Sequence, residues 1–112
     1  MTQNALSGSW LASRLGIDPL RVEALRRAGE LIAVRAEGAH EWRYPAWQFD
    51  SEGKTKPAVR RLLAMARADR ISTARVLELL DRRVGLVGGE SVRELLLNGG
   101  EEQAIEHVRS AA

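Results

Sequence analysis

The sequence predicts a mainly α protein with a small β-hairpin wing: a winged helix-turn-helix followed by a compact C-terminal helical bundle. Three observations carry that expectation. Two short helical runs sit either side of a tight turn near Ile17-Asp18-Pro19. A β-branched stretch, Leu31–Arg35, and an aromatic one, Trp42–Tyr44, follow with a glycine between them. After a polar stretch come four short segments with aliphatic stripes at helical spacing.

The first two helices have start and stop signals at both ends. Ser7 or Ser9 can cap the first, because a short hydroxyl side chain accepts from the free N–H groups of the opening turn. Gly16 ends it, where a left-handed residue without a Cβ costs least. Asp18 then caps the second helix, and Pro19 occupies the first helical position, where no N–H is missed. Gly29 closes that helix.

Helical spacing separates the faces of Pro19–Ala28. Val22 and Leu25 fall on the side of the first helix, toward Leu11 and Leu15, while Arg21, Ala24 and Arg27 fall on the outer or flanking sides. A helix-turn-helix places the outer face of its second helix in the major groove, where an arginine fork can bond guanine or phosphate. Arg21, Ala24 and Arg27 are therefore the candidate base-reading positions. By itself an arginine-bearing helix face is more often plain solvated surface; the two bracketed helices change that weighting.

Leu31–Arg35 reads as a strand, Ala36–Glu41 as a loop and Trp42–Tyr44 as the returning strand, with Pro45 ending the pairing for want of a donor. A two-stranded ribbon is marginal alone in water. It must lean on the helices through Ile32, Val34, Trp42 or Tyr44, and Trp47 with Phe49. Arg35 and Arg43 flank this wing and are candidate phosphate contacts. His40 reads as a solvated loop residue. Residues 1–6 carry no structural signal and read as an arm.

Asp50–Lys56 is polar and aperiodic, and the reading divides the chain into a winged domain over 1–50, a linker over 51–56 and a helical interaction domain over 57–112. Pro57 starts a helix to about Met65, with Val59, Leu62, Leu63 and Ala66 on one side. Ser72 caps another to about Leu80. Arg82–Gly89 is a glycine-bearing turn region. Ser91-Val-Arg-Glu94 is a capping box. The helix it opens ends at Asn98-Gly99, and the last runs from Glu101 to about Arg109, with its acidic residues in the first turn. None is long enough to stand alone, so they must pack on one another, on the wing or on a second copy.

Composition excludes more than it selects. The 112 residues contain no cysteine and two histidines, which leaves no disulfide framework and no metal-ligand spacing. No apolar run approaches a membrane span and the N-terminus has no secretory pattern, so a cytoplasmic protein is expected. No phosphate-binding glycine loop, nucleophile with a base or paired catalytic carboxylates is found, so neither an enzyme nor a cofactor is expected. Net charge is +2, unevenly spread: residues 1–53 carry six Arg/Lys against seven Asp/Glu, residues 54–83 nine against three, and residues 84–112 two against five. A basic middle and an acidic end suit a protein with one nucleic-acid face and one other face, and equally suit ordinary helical surfaces.

With these residues in view, the run Trp10-Leu-Ala-Ser-Arg-Leu-Gly16, then Val22, Leu25-Arg26, Ala28–Ile32 and Tyr44–Phe49, resembles the small MerR/excisionase-type winged helix-turn-helix of bacterial regulators. Pro57 onward resembles the C-terminal domain of Xre/MbcA/ParS-type antitoxins, through Gly88-Gly89 and Glu94-Leu-Leu-Leu-Asn-Gly99. The resemblance implies a transcriptional regulator that binds double-stranded DNA as a homodimer and takes a RES-type toxin as partner. It places Gly88, Gly89, Leu95 and Leu96 at the partner site. Two alternatives stay open: a protein-interaction module with little DNA binding, and an excisionase-like DNA-bending factor.

Overall fold

The computed structural model describes residues 5–35, 38–84 and 89–112. It is mostly helical with one small antiparallel sheet, and it divides into two compact units, residues 1–56 and 57–112.

In the first unit, β1 (Ala5–Ser7) runs directly into α1 (Gly8–Leu15), and Ser7 is the cap, its hydroxyl accepting from the Trp10 N–H at 3.1 Å. Gly16 ends α1 at φ 70°, and the Ile17 N–H donates back to the Ala12 carbonyl at 2.9 Å. That left-handed turn needs glycine for its backbone angle alone, since a Cβ there would meet nothing. The Asp18 carboxylate accepts from the Leu20 N–H at 2.8 Å and opens α2 (Pro19–Arg27), with Pro19 at the start of the helix. Ala28 is the cap residue and Gly29 follows in the left-handed region.

The wing differs from the expected hairpin. β2 (Arg43–Pro45) pairs with β1 in the register Ala5↔Pro45, Leu6↔Tyr44, Ser7↔Arg43. Residues 5 and 6 are therefore part of the sheet and not of an arm. Leu31–Arg35 contributes a single bridge, Val34↔Arg43, closed by two 2.8 Å hydrogen bonds. Ladder pairing stops there because a side chain takes its place. Gln48 ends a 3-10 turn (Ala46–Gln48) and is fully buried. Its Oε1 accepts from the Ile32 N–H at 2.9 Å, and its Nε2 donates to the carbonyls of Ile32 at 2.7 Å and Pro45 at 3.0 Å. Of the expected loop, residues 36 and 37 lie outside the described residues.

The core of this unit is Leu11, Ala12, Val22, Leu31, Tyr44 and Phe49, with Leu15, Leu25 and Trp42 partly buried against it. Val22 and Leu25 thus face the first helix as expected. The stretch expected to be a linker, 51–56, is instead a packed turn. The Asp50 carboxylate accepts from the N–H groups of Glu52 and Lys54, the Lys56 N–H donates to the Gln48 carbonyl, and Arg14 donates to the Ser51 carbonyl at 2.6 Å. Gly53 lies buried against α1 at φ 84°; a Cβ there would come within 2.9 Å of the Arg14 side chain. A short polar side chain that bonds its own backbone makes structure out of a sequence with no hydrophobic period.

The second unit holds α3 (Pro57–Ala68), α4 (Thr73–Leu80), α5 (Val92–Leu97) and α6 (Glu101–Ala111), with α6 against each of the other three. Val59, Leu62, Leu63 and Ala66 are buried on the expected face of α3, and Val76, Leu79, Leu80, Val92, Leu96, Ala104, Ile105 and Val108 are buried with them. Ser72 caps α4, and Ser91 with Glu94 forms the reciprocal capping box of α5. Hydrogen bonds to the Ser91 backbone and hydroxyl hold the Glu94 carboxyl below its ordinary value. The α3 helix runs further than expected, to Ala68, and the turn that follows it contains Arg70, which adopts φ 59° without being glycine. The described part of the expected 82–89 turn includes the Arg83↔Ser91 bridge; residues 85–88 lie outside it.

Two outcomes follow. Gln48→Leu leaves the Ile32 N–H and two carbonyls buried without partners, at about 1–3 kcal/mol for each such group. It should lower the stability of the first unit by about 3 kcal/mol or more. Urea unfolding followed by tryptophan fluorescence measures this unit alone, because Trp10, Trp42 and Trp47 all lie in it. Arg70→Gly removes the left-handed penalty at the end of α3 and should stabilise the second unit by about 0.5–1 kcal/mol. A later urea midpoint in far-UV circular dichroism is the expected result.

Candidate nucleic-acid interface

The cap at Asp18, the proline behind it and the buried Val22 fix both the start and the rotation of α2. Arg21, Ala24 and Arg27 are then all exposed, on the outer side of the helix. That is the arrangement a base-reading helix needs, with guanidinium groups free in solvent on a rigid, packed rod. Leu20 continues the same face at the N-terminal end and is 71% exposed.

The wing places its two arginines differently. The Arg35 guanidinium lies over the Trp42 ring at 4.5 Å, and the Arg26 guanidinium lies over the same ring at 4.4 Å. Such stacking is worth roughly 0.5–1 kcal/mol at an exposed site and holds a long side chain in one place. Trp42 therefore ties the last turn of α2 to the strand-like segment of the wing. Arg43 is half exposed and 3.4 Å from the Glu41 carboxylate. A phosphate would have to compete with that contact.

Arg26 also lies beside the buried hydroxyl of Tyr44 and 3.8 Å from Glu23. Burial pushes the Tyr44 phenol up from its ordinary value, and the Arg26 charge opposes the shift without cancelling it. In front of Tyr44, a groove of about 270 Å³ opens between the first turn of α2 and the loop that leads into β2. Leu20, Glu23, His40, Glu41 and Trp42 line it. His40 is exposed.

Solved structures supply one comparison. In fold, the chain is similar to the NMR structure of Rv2175c. The TM-score is 0.76 at 16% sequence identity, over 98% of this chain and 82% of that one. At that identity the likeness establishes a shared fold and nothing further. No family model matches the chain, and no curated protein matches it.

The residues expected at a partner site separate in the second unit. Leu96 is 1% exposed, so its side chain belongs to the core and not to a surface a partner could touch. Leu95 is half-buried and lines a groove of about 650 Å³ with Val84, Gln103, Glu106, His107 and Ser110. Gly89 is described, and its carbonyl accepts from Arg83 at 2.7 Å; Gly88 lies outside the described residues. The resemblance placed both leucines at the partner site, but the packing of α5 buries Leu96 and leaves Leu95 at the surface. No helix among the described residues is long and apolar enough to cross a membrane, and none of those residues forms a cluster able to hold a metal ion.

Sequence reasoning missed Gln48, Leu20 and the Trp42 stack. Leu20 had a signal, since it lies one turn before Ala24 and two before Arg27. Gln48 and the stack had none, because each depends on residues distant in the chain.

The raised Tyr44 value has a stability consequence. A protonated phenol favoured by the fold contributes stability that is present below its unfolded value of about 10 and is lost as pH rises through the folded one. Stability of the first unit should therefore fall above about pH 10, and Tyr44→Phe should flatten that decline. Phenolate absorbance near 295 nm reports it directly, since Tyr44 is the single tyrosine.

Proposed function

We propose that this chain is a bacterial DNA-binding transcriptional regulator of the antitoxin-like kind, and not an enzyme. Its α2 helix reads the major groove, and its wing holds the phosphate backbone. The observation that carries the reading is the rotation of α2: Val22 is buried while Arg21, Ala24 and Arg27 share the solvent side. A helix whose exposed side carries two guanidinium groups around a small residue can approach base edges closely. Arg35 and Arg43 flank it from the wing. The protein works in the cytoplasm, as a homodimer on double-stranded DNA, and a RES-type toxin is the partner that its resemblance to antitoxins implies.

A second reading is supported by the groove beside Leu95, whose lining combines the apolar Val84 and Leu95 with the acidic Glu102 and Glu106. In that reading the chain is a protein-interaction module and the winged unit is scaffold. An excisionase-like bending factor would use the same α2 face and would differ in bending the duplex.

Selection of duplexes from a random pool, followed by titration of wild type and variants, tests the proposal. Arg27→Ala should cost about 1–3 kcal/mol on the selected duplex and little on a scrambled one. Arg43→Ala should weaken binding to both alike and reduce the salt slope by about one. Equal losses on both duplexes for both variants would sink the residue assignment. A chain that shifts no DNA at low salt would leave the interaction module standing, and circular-permutation assays separate a bender from a regulator.

A further inference from the structure

Leu20, in the first turn of α2, has no role in the reading above, yet its side chain is of a kind that folding usually withdraws from water. Leu20 is 71% exposed. Its place is not loose: Pro19 precedes it, and its N–H donates to the Asp18 carboxylate at 2.8 Å. Ala24 and Arg27 follow it along the same line of the helix, and both are exposed.

A recognition helix meets base edges chiefly with its N-terminal residues. In the major groove those edges are hydrogen-bond donors and acceptors, apart from one apolar group, the C5 methyl of thymine. Leucine has no atom to offer a donor or an acceptor. Against guanine, adenine or cytosine it would displace water from polar atoms and give nothing in return. Against a thymine methyl, it takes apolar area out of water on both sides. Backbone phosphate is disfavoured at the same place, because Glu23 and Glu41 share the adjoining groove with Leu20. We infer that Leu20 is a specificity-determining residue that selects thymine through its methyl group, at one end of a site whose other end meets Arg27.

This inference rests on the DNA-binding reading, and its test keeps the two apart. Wild type and Leu20→Ala are titrated against the duplex the protein selects from a random pool. They are then titrated against copies in which one thymidine at a time becomes deoxyuridine, which pairs identically and lacks only the methyl. At one position the wild type should lose about three- to fivefold in affinity, the worth of one buried methyl. At that position Leu20→Ala, already weaker on the thymidine duplex, should lose nothing more. At every other position the two proteins should respond alike. Losses that multiply at every position, or a Leu20→Ala protein that binds as the wild type does, overturn the assignment. A wild type that selects no duplex overturns the DNA-binding reading and this inference with it. An unchanged urea midpoint for Leu20→Ala confirms that the exposed side chain contributes nothing to folding.

Discussion

The first unit depends on one buried amide. A two-stranded ribbon this short has too little ladder to hold its own position, and here the ladder on one side of β2 shrinks to the Val34↔Arg43 bridge. Gln48 stands where the next rung would be: its donor and acceptor engage the N–H and carbonyl of Ile32, and its second donor engages the Pro45 carbonyl. A neutral amide is suited to this because it carries both hydrogen-bonding roles at one end of one side chain. Buried polar groups are costly when unmatched and specifying when matched. The register of the wing, the seat of Leu31 in the core and the position of Trp42 all descend from that match.

From there the geometry passes outward through Trp42. Its ring is partly buried against the core and carries Arg26 from α2 and Arg35 from the wing. The outer face of α2 and the arginines beside it are thus set by two fixed points, the Asp18 cap at one end and the Trp42 stack at the other. Flexible arginines lose side-chain entropy when they bind; stacking has already removed part of that freedom from Arg35.

Much of this was legible because it is local. Caps, the Gly16 stop, Pro19 at the start of α2, the Ser91–Glu94 box and the inward Val22 each follow from residues a few positions apart. What was not legible is non-local or unmarked. β1 carries no strand period over three residues and exists because Arg43–Pro45 lies beside it. Asp50–Lys56 reads as a linker because its order comes from a carboxylate bonding backbone, not from apolar spacing. The end of α3 was misplaced because Arg70 takes a conformation for which sequence offers glycine as the usual sign. At the site, the exposed α2 positions came from helical spacing, whereas the burial of Leu96 beside the accessible Leu95 needed the packing of α5 on α6.

The charge of the first unit bears on how the proposed DNA reader would divide its binding energy. Residues 1–56 carry eight Arg/Lys and seven Asp/Glu, and several of the cations already have partners: Arg26 has Glu23 and Trp42, Arg35 has Trp42, and Arg43 has Glu41. Non-specific affinity for DNA grows with the number of phosphates neutralised. A unit with so little surplus charge would gain little from phosphate alone, so the proposed reader would bind arbitrary sequence weakly. The contacts that distinguish one site from another would then make up a larger share of the total, and in the proposed reading they come from the side of α2 that carries Leu20, Ala24 and Arg27. On this account the acidic residues around the wing do not argue against a DNA interface. They lower the background against which a specific site must compete.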